Sequence, residues 1–168
     1  MKIIGTGRAH PAKVVTNAML EQFLDTSDEW IKTRTGMSER RVISSEKLED
    51  LATKAAIQAI EDAGLTPADI DYIICSNVVN EYITPSLSCI VQGAIGAKCA
   101  ACVDVNAACS GFIYALDMAD DRLKSGKAKN ILVLGAEEPT RMVDWSDRSL
   151  CVLCGDGAGA VVVSHGEG

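Results

Sequence analysis

Polar and apolar positions along the chain follow two different periods, and these periods predict the secondary structure. Between residues 45 and 64, small apolar residues recur at spacings of three and four, which is typical of an amphipathic helix. Continuous apolar runs such as YIICSNVV at 72–79 and NILVLGAE at 130–137 are instead typical of strands buried on both faces. The chain is therefore expected to alternate strands with helices.

Capping residues and glycines set the expected limits of the helices. Thr16 or Asn17 can cap a helix over 16–25, and Thr26 or Ser27 can cap a second helix that Gly36 ends. The predicted helices cover 16–25, 26–36, 45–64, 85–96 and 110–126. The predicted strands cover 2–7, 72–79, 102–107 and 130–137, and two further apolar runs lie on either side of a glycine-rich turn within 149–164. Strands of this kind, separated by helices, predict an α/β fold with a sheet covered on both faces.

Composition narrows the possible function. The chain has 168 residues and a formal net charge of −7, with 48% hydrophobic but only 4% aromatic residues. Its one loose basic group, Lys32, Arg34, Arg40 and Arg41, does not predict nucleic-acid binding. The start of the chain has no signal-peptide pattern, and no apolar stretch approaches 18 residues, so we expect a cytoplasmic protein with no membrane segment.

Seven cysteines are many for a chain with no secretory signal, and most are expected to be reduced and buried. Two pairs have the C-x2-C spacing of zinc sites, Cys99 with Cys102 and Cys151 with Cys154. The run CVLC at 151–154 is predicted to be a strand, in which residues three apart point to opposite faces. No metal site is therefore expected.

Cys109 differs from the other cysteines in its position. It lies in DVNAACSGF at 104–112, where a predicted strand passes into a predicted helix through small residues. A thiol at a helix N-terminus favours its thiolate form, and nearby backbone N–H groups can stabilise an oxyanion. The setting suits a nucleophile for acyl transfer, although a small buried hydrophobic residue is the alternative. The chain's two histidines, His10 and His165, are not expected to be its base.

A second group of residues has the properties of a ligand site. Trp30 and Arg34 are four residues apart on one predicted helix and so share a face, where an indole and a guanidinium can hold a flat base between them. An ordinary surface pair is the alternative. Arg148 follows Asp147, and by itself this is typical of a surface ion pair.

Four stretches give the chain a marked resemblance to the 3-oxoacyl-(acyl-carrier-protein) synthase III family of the thiolase-like superfamily. They are DTSDEWIKTRTGMSERR, the Pro85-Ser86 segment, DVNAACSGFIYAL and DRSLCVLCGDGAGA, in the family's order. The resemblance covers essentially residues 1–165. It implies one half of a five-layered αβαβα sandwich, with residues 1–168 forming the amino-terminal half and a mixed sheet with helices on both faces.

The resemblance also implies roles for individual residues. Cys109 would carry the acyl group as a thioester, and Thr26, Trp30, Arg34 and Arg148 would bind coenzyme A. Thr84 would reach the acyl pocket of a neighbouring subunit, where its small size would admit longer or branched primers. The family's catalytic histidine and asparagine match no residue here, so they are expected in a carboxyl-terminal half. GDGAGA at 155–160 is expected to form a tight turn beside the site.

These expectations combine into one predicted function. The whole enzyme would transfer an acyl group, first of all acetyl, from acyl-CoA to Cys109 and condense it with malonyl-acyl-carrier-protein to start fatty-acid synthesis. It would need no cofactor beyond the coenzyme A thioester substrate, and it would act as a homodimer. The alternatives are a related thiolase-fold starter synthase of the polyketide type, or a non-catalytic half that acts only with a partner chain.

Overall fold

Residues 1–166, the part of the chain that the computed structural model describes, form a central sheet with helices on both sides. The strands are β1 (Lys2–Ala9), β2 (Val14–Thr16), β3 (Glu39–Arg41), β4 (Tyr72–Ser76), β5 (Ala101–Val105), β6 (Asn130–Glu137) and β7 (Gly157–Ser164). The α-helices are α1 (Asn17–Leu20), α2 (Asp28–Thr35), α3 (Leu48–Asp62), α4 (Leu87–Ile95) and α5 (Gly111–Lys124). Short 3-10 turns cover Pro67–Asp69, Ala108–Ser110, Pro139–Arg141 and Cys151–Leu153.

The main sheet has the strand order β1-β7-β6-β4-β5 and is mixed. Strands β5, β4 and β6 are parallel, while β7 runs antiparallel to both β6 and β1. Strands β2 and β3 form a separate antiparallel pair. Because of these directions, the carboxyl ends of β1, β4, β5 and β6 and the start of β7 all lie at the same edge of the sheet, which we call the site edge.

Alternate residues of the central strands face two different helical layers. Ile73 and Cys75 of β4 are buried in a cluster with α3 and α4, and Ile74 is buried in a second cluster with α5. The alternation follows from the period of two in a strand. The predicted α/β class, with a mixed sheet covered by helices on both faces, is confirmed.

Helix α3 lies unusually close to the edge strand β1 because glycine and alanine form the contact. A Cβ atom at Gly7 would lie 2.1 Å from the carbonyl oxygen of Ala55, and one at Gly5 would lie 2.2 Å from that of Ala59. Ala55 and Ala59 are fully buried. The helix backbone therefore packs directly on the strand backbone, which no larger side chain on β1 would permit.

A third apolar cluster joins the first helices to the segment after β6. It contains Val15, Leu20, Leu24, Ile31, Val42, Cys151 and Val152, with Trp30, Val143 and Trp145 packed against it. The cluster forms without a long first helix. The helix predicted over 16–25 is shorter than expected, since α1 ends at Leu20. Leu20 and Leu24 are buried in the cluster, whereas Met19 and Phe23 are 43% and 59% exposed.

Two expectations for the end of the chain were wrong. The apolar run around Cys151 forms the 3-10 turn Cys151–Leu153 and not a strand, because the apolar side chains of Cys151 and Val152 pack into the third cluster. GDGAGA does not form a tight turn, since Gly157–Ser164 is one continuous strand between β1 and β6. No helix within residues 1–166 is long and apolar enough to cross a lipid bilayer.

Candidate active site

The predicted ligand-binding and acyl-carrying residues lie on four connections that begin at the site edge. Thr26, Trp30 and Arg34 belong to the connection after β1, Thr84 to the one after β4, and Cys109 to the one after β5. Arg148 lies between the end of β6 and the start of β7. Ligands of α/β proteins bind at the carboxyl ends of parallel strands, which is the edge where these connections begin.

Cys109 occupies the predicted corner between β5 and α5. It lies in the 3-10 turn Ala108–Ser110 directly before the first residue of α5, and its side chain is exposed. Ala108 has a φ of 46°, in the left-handed region that a residue with a Cβ atom rarely adopts. Such a backbone costs of the order of 1–3 kcal/mol and is found most often where function requires it.

The backbone around Cys109 fixes which N–H groups are already used. The N–H of Ser110 donates to the carbonyl oxygen of Ala107 at 3.1 Å, and that of Gly111 donates to Ala108. These two donors therefore hold the turn closed. The N–H groups of Ser110 and Gly111 are therefore not among those that could stabilise an oxyanion at Cys109.

Gly111 lets the helix start close to the end of β4. A Cβ atom there would lie 2.3 Å from Ser76 Oγ and 3.3 Å from Ser76 Cβ. Ser76 is the last residue of β4 and is buried. The glycine two residues after Cys109 thus allows the start of α5 to pack against the end of β4.

Most of the other cysteines are poor nucleophiles because of their surroundings. Burial raises the pKa of Cys102 to about 12 and that of Cys75 well above its ordinary value. Burial also raises the pKa values of Cys151 and Cys154. Cys89, Cys99 and Cys109 are exposed, and of these Cys109 alone adjoins the N-terminus of α5.

The C-x2-C pairs do not meet in a metal centre among residues 1–166. No three His, Cys, Asp or Glu side chains of that range are grouped so that they could hold a metal ion. The strand argument used against zinc was itself wrong, because Cys151 lies in a 3-10 turn.

The topology separates both histidines from Cys109. His10 follows β1, which lies four strand spacings from β5, or roughly 19 Å at the usual separation of strands. His165 follows β7 at the opposite edge of the sheet, about 25 Å from the site edge along eight residues of strand. Neither position suits the base of a Cys109 nucleophile.

Trp30, Arg34 and Arg148 form one group. The guanidinium carbon of Arg34 lies 4.2 Å from the centroid of the Trp30 ring, and that of Arg148 lies 5.0 Å from it. Arg148 also donates to the backbone carbonyl of Asp25. Helix α2 presents Trp30 because Ser27 caps it through the Trp30 N–H and Gly36 ends it with a φ of 73°.

The stacking distance bears on how a base could bind. A ring held between an indole and a guanidinium needs about 7 Å between them, twice the usual stacking separation. Arg34 at 4.2 Å leaves no such space, so it must swing outward before a base can enter on its side. A shallow pocket of about 280 Å³ lies beside this pair and is lined by Ser27, Glu29, Trp30, Thr33 and Arg34.

Thr26 and Thr84 occupy different surroundings. Thr26 Oγ1 is buried and has no hydrogen-bond partner among the described residues. Thr84 is exposed, in a segment where Tyr82 and Ile83 are 41% and 100% exposed. Asp104 of β5 anchors the far end of that segment by accepting the N–H groups of Leu87 and Ser88, the first residues of α4.

Several supporting residues were missed in the sequence. Glu137 accepts the N–H groups of Val78 and Val79 and so holds the start of the Thr84 segment, and burial raises its pKa. Asp156 accepts from Ile43 N–H and from the Thr140 hydroxyl. A single carboxylate inside or directly after an apolar run is the signal that could have identified such residues.

Comparison with known proteins places the chain in a family. The model of 3-oxoacyl-[acyl-carrier-protein (ACP)] synthase III matches residues 103–168. The chain is 54% identical over 166 residues to a beta-ketoacyl-[acyl-carrier-protein] synthase III of Aquifex aeolicus, covering 99% of this chain and 54% of the relative. The corresponding enzyme of Clostridium acetobutylicum is 51% identical over 99% of this chain and 51% of its own length.

Solved structures agree with this similarity. The crystal structure of the Aquifex aeolicus synthase III superposes with a TM-score of 0.96, covering 99% of this chain and 54% of that one. The priming beta-ketosynthase of the R1128 polyketide pathway is 39% identical with a TM-score of 0.94, over 97% of this chain and 49% of its own. The chain thus spans about half the length of the relatives it matches, and its fold is thiolase-like. It belongs to the 3-oxoacyl-[acyl-carrier-protein] synthase III family.

Proposed function

We propose that this chain is the amino-terminal half of an acyltransferase that starts fatty-acid synthesis, and that Cys109 is its acyl acceptor. One observation carries the proposal: Cys109 is an exposed thiol on a strained turn at the start of α5. The names of its relatives support an acyl-carrier-protein substrate. A cytoplasmic location agrees with that substrate.

The first step transfers an acyl group. The Cys109 sulfur attacks the thioester carbonyl of acyl-CoA, and a tetrahedral oxyanion forms. Its collapse breaks the bond to the coenzyme sulfur, which leaves with the proton that Cys109 gave up. The product is a thioester on Cys109 and free coenzyme A.

The second step needs a histidine, which residues 1–166 do not place near Cys109. Malonyl-acyl-carrier-protein loses carbon dioxide, and the resulting carbanion attacks the Cys109 thioester. A carbon–carbon bond forms, the carbon–sulfur bond breaks, and Cys109 leaves as a thiolate that takes up a proton from water. Stabilising that carbanion requires hydrogen-bond donors such as a histidine and an asparagine. Since both histidines lie far from Cys109, the carboxyl-terminal half supplies them.

The coenzyme would bind at the Trp30 group. Its adenine stacks on the indole, while Arg34 and Arg148 turn toward its phosphates as bidentate donors. Thr26 Oγ1, which is buried without a partner, is the hydroxyl available for this ligand. No metal or resident cofactor takes part in either step.

The acyl chain would be selected at Thr84. A bulky aromatic side chain at this position would limit the pocket to short acyl chains. Threonine is smaller, so the pocket it reaches accepts primers longer than acetyl. Similarity to the R1128 priming synthase supports a second candidate function, that of a starter enzyme of the polyketide type. Both functions share the Cys109 thioester and differ in the primer.

Intact mass spectrometry tests the proposal directly. The chain is incubated briefly with acetyl-CoA and, separately, with longer and branched acyl-CoAs. We expect one acyl adduct per chain, absent in Cys109→Ala and retained in Cys89→Ala and Cys99→Ala, which remove the other exposed thiols. Preference for long primers would favour the starter-synthase function.

Two outcomes of this measurement would count against the proposal. An adduct that persists in the Cys109→Ala chain would place the acyl group elsewhere. No adduct on a folded chain would mean that this half does not acylate alone, and the same measurement with the carboxyl-terminal half added would then decide.

A homodimer is the proposed assembly, and β5 is its proposed contact. This strand lies at the end of the sheet and pairs only with β4 among the described strands. The exposed Tyr82 and Ile83 lie on the neighbouring connection. An open sheet edge beside exposed apolar side chains is a ready surface for a second copy.

Sedimentation velocity checks the dimer. We expect wild-type chain to sediment as a dimer at micromolar concentration and Ile83→Asp to shift it toward monomer, because a fully exposed isoleucine is buried on association. Ile3→Asp on β1 is the matched control, since Ile3 is also exposed but lies on the strand at the opposite end of the sheet order from β5. A monomeric wild type, or equal effects of both variants, would refute this contact.

A further inference from the structure

Arg40 is a buried cation that the proposed reaction does not use. It is 5% exposed and lies in the middle of β3. Its Nη1 donates to the carbonyl oxygen of Val15 at 3.2 Å, and its Nη2 donates to Asn17 Oδ1 at 2.9 Å and to the carbonyl oxygen of Val152 at 3.1 Å. Among the described residues no carboxylate lies within ion-pair distance, and Nε is buried without a partner.

This arrangement is costly, so it calls for an explanation beyond packing. Burial lowers the pKa of Arg40, which shows that its surroundings disfavour the charge. A buried charge without a counter-ion generally destabilises a fold relative to an apolar side chain of similar size. What Arg40 provides that an apolar residue cannot is a rigid set of donors directed at separate elements.

The first of these elements is α2, which bears Trp30 and Arg34. Asn17 accepts from Arg40 through Oδ1 and donates through Nδ2 to Asp28 Oδ1 at 2.8 Å. Asp28 is the first residue of α2. Two consecutive hydrogen bonds therefore join Arg40 to the start of the helix that presents the indole.

The second element is the turn that contains Arg148. Arg40 holds the carbonyl oxygen of Val152, and the N–H of Cys151 donates to the carbonyl oxygen of Asp147 at 3.2 Å. Arg148 lies inside this closed turn. Its guanidinium carbon lies 5.0 Å from the centroid of the Trp30 ring, and Trp30 belongs to α2, the first element.

We propose that Arg40 is a positioning residue for coenzyme recognition, which fixes α2 and the turn at 147–152 so that Trp30 and Arg148 face the nucleotide end of coenzyme A together. This inference rests on the proposed function, because it takes coenzyme A as the ligand. It assigns a role to a residue that does not itself touch the ligand.

The test compares two ligands that share the phosphopantetheine arm. Coenzyme A contains the adenine nucleotide and 4′-phosphopantetheine lacks it. The dissociation constant of 4′-phosphopantetheine divided by that of coenzyme A therefore measures recognition of the nucleotide alone. Isothermal titration calorimetry gives both constants without requiring catalysis. For Arg40→Met we expect this ratio to fall about tenfold, the loss that corresponds to roughly 1.4 kcal/mol.

The controls separate positioning from general stability. Arg41→Met removes the neighbouring arginine, which donates to Pro11 and Ala12 carbonyl oxygens, and it should leave the ratio unchanged. Arg40→Lys keeps the charge but not the forked donors, so its ratio should fall by a smaller factor, about threefold. If Arg40→Met does not fold, the lysine variant decides the question by the same ratio.

The outcomes are distinct for the two proposals. A wild-type ratio near one would overturn the proposed coenzyme site itself. A high wild-type ratio that Arg40→Met or Arg40→Lys leaves unchanged would overturn the role of Arg40 alone. Equal weakening of both ligands would show a purely structural residue and would also overturn it.

Discussion

Replacing Gly7 with alanine is expected to lower the free energy of unfolding by about 3 kcal/mol or more. The new Cβ atom would lie 2.1 Å from the carbonyl oxygen of Ala55 and 2.7 Å from the N–H nitrogen of Ala59. Both are backbone atoms of α3, so no side-chain rotation can relieve the overlap. The helix must move off the strand, and the alanine contacts on its buried face are lost with it.

The effect is large relative to the stability of an ordinary domain, which is about 5–15 kcal/mol. Urea denaturation followed by circular dichroism measures it. Gly159→Ala is the matched control: it also lies in the sheet, and its Cβ atom would meet nothing nearer than Gly7 oxygen at 4.0 Å. A Gly7→Ala chain with the same unfolding midpoint as this control would contradict the close packing of β1 on α3.

Gly111→Ala is expected to slow acylation of Cys109 at least about tenfold while costing about 1–3 kcal/mol of stability. Helix propensity alone would favour alanine here by up to about 1 kcal/mol. The contact with Ser76 opposes it, since the added Cβ atom would lie 2.3 Å from Ser76 Oγ. Rotation of the Ser76 hydroxyl would relieve only part of the overlap, because the added Cβ atom would also lie 3.3 Å from Ser76 Cβ. The start of α5 must therefore shift slightly, and the nearby thiol shifts with it.

The change can be tested by its suppression. The rate of adduct formation is followed by intact mass for Gly111→Ala, for Ser76→Gly and for the double variant. Removing the Ser76 side chain should restore much of the lost rate, because it removes the two atoms nearest to the new methyl group. Gly93→Ala, a helical glycine of α4 with open space around it, should react like wild type. Additive losses in the double variant would speak against this contact.

Local signals were enough to predict most elements and the position of Cys109 between a strand and a helix. Ser27 caps α2 and Gly36 ends it as its sequence predicts, and the apolar face of α5 is buried at Ala115, Ala119 and Leu123. Such features depend on residues a few positions apart. Cys109 was identified for the same reason, since its strand, turn and helix are contiguous.

The rest depended on contacts between distant parts of the chain. Nothing near β7 indicates that it inserts between β1 and β6 in the antiparallel direction. Cys151 was assigned to a strand because a short apolar run does not distinguish a strand from a buried turn. Arg40 looked like part of a surface basic group, and only its partners at Asn17 and Val152 show that it is buried.

The place of β7 between β1 and β6 also determines the order in which the sheet can form. Strand β1 is synthesised first, yet its ladder partner is the last strand of the described chain, with Lys2 opposite Ser164. Until then β1 has only α3 to cover it, through the glycine and alanine contact. Pairings so distant in sequence are slow to form. Of the five strands of this sheet, the first to be synthesised is therefore the last to find its neighbour, and a chain cut before residue 157 leaves it without one.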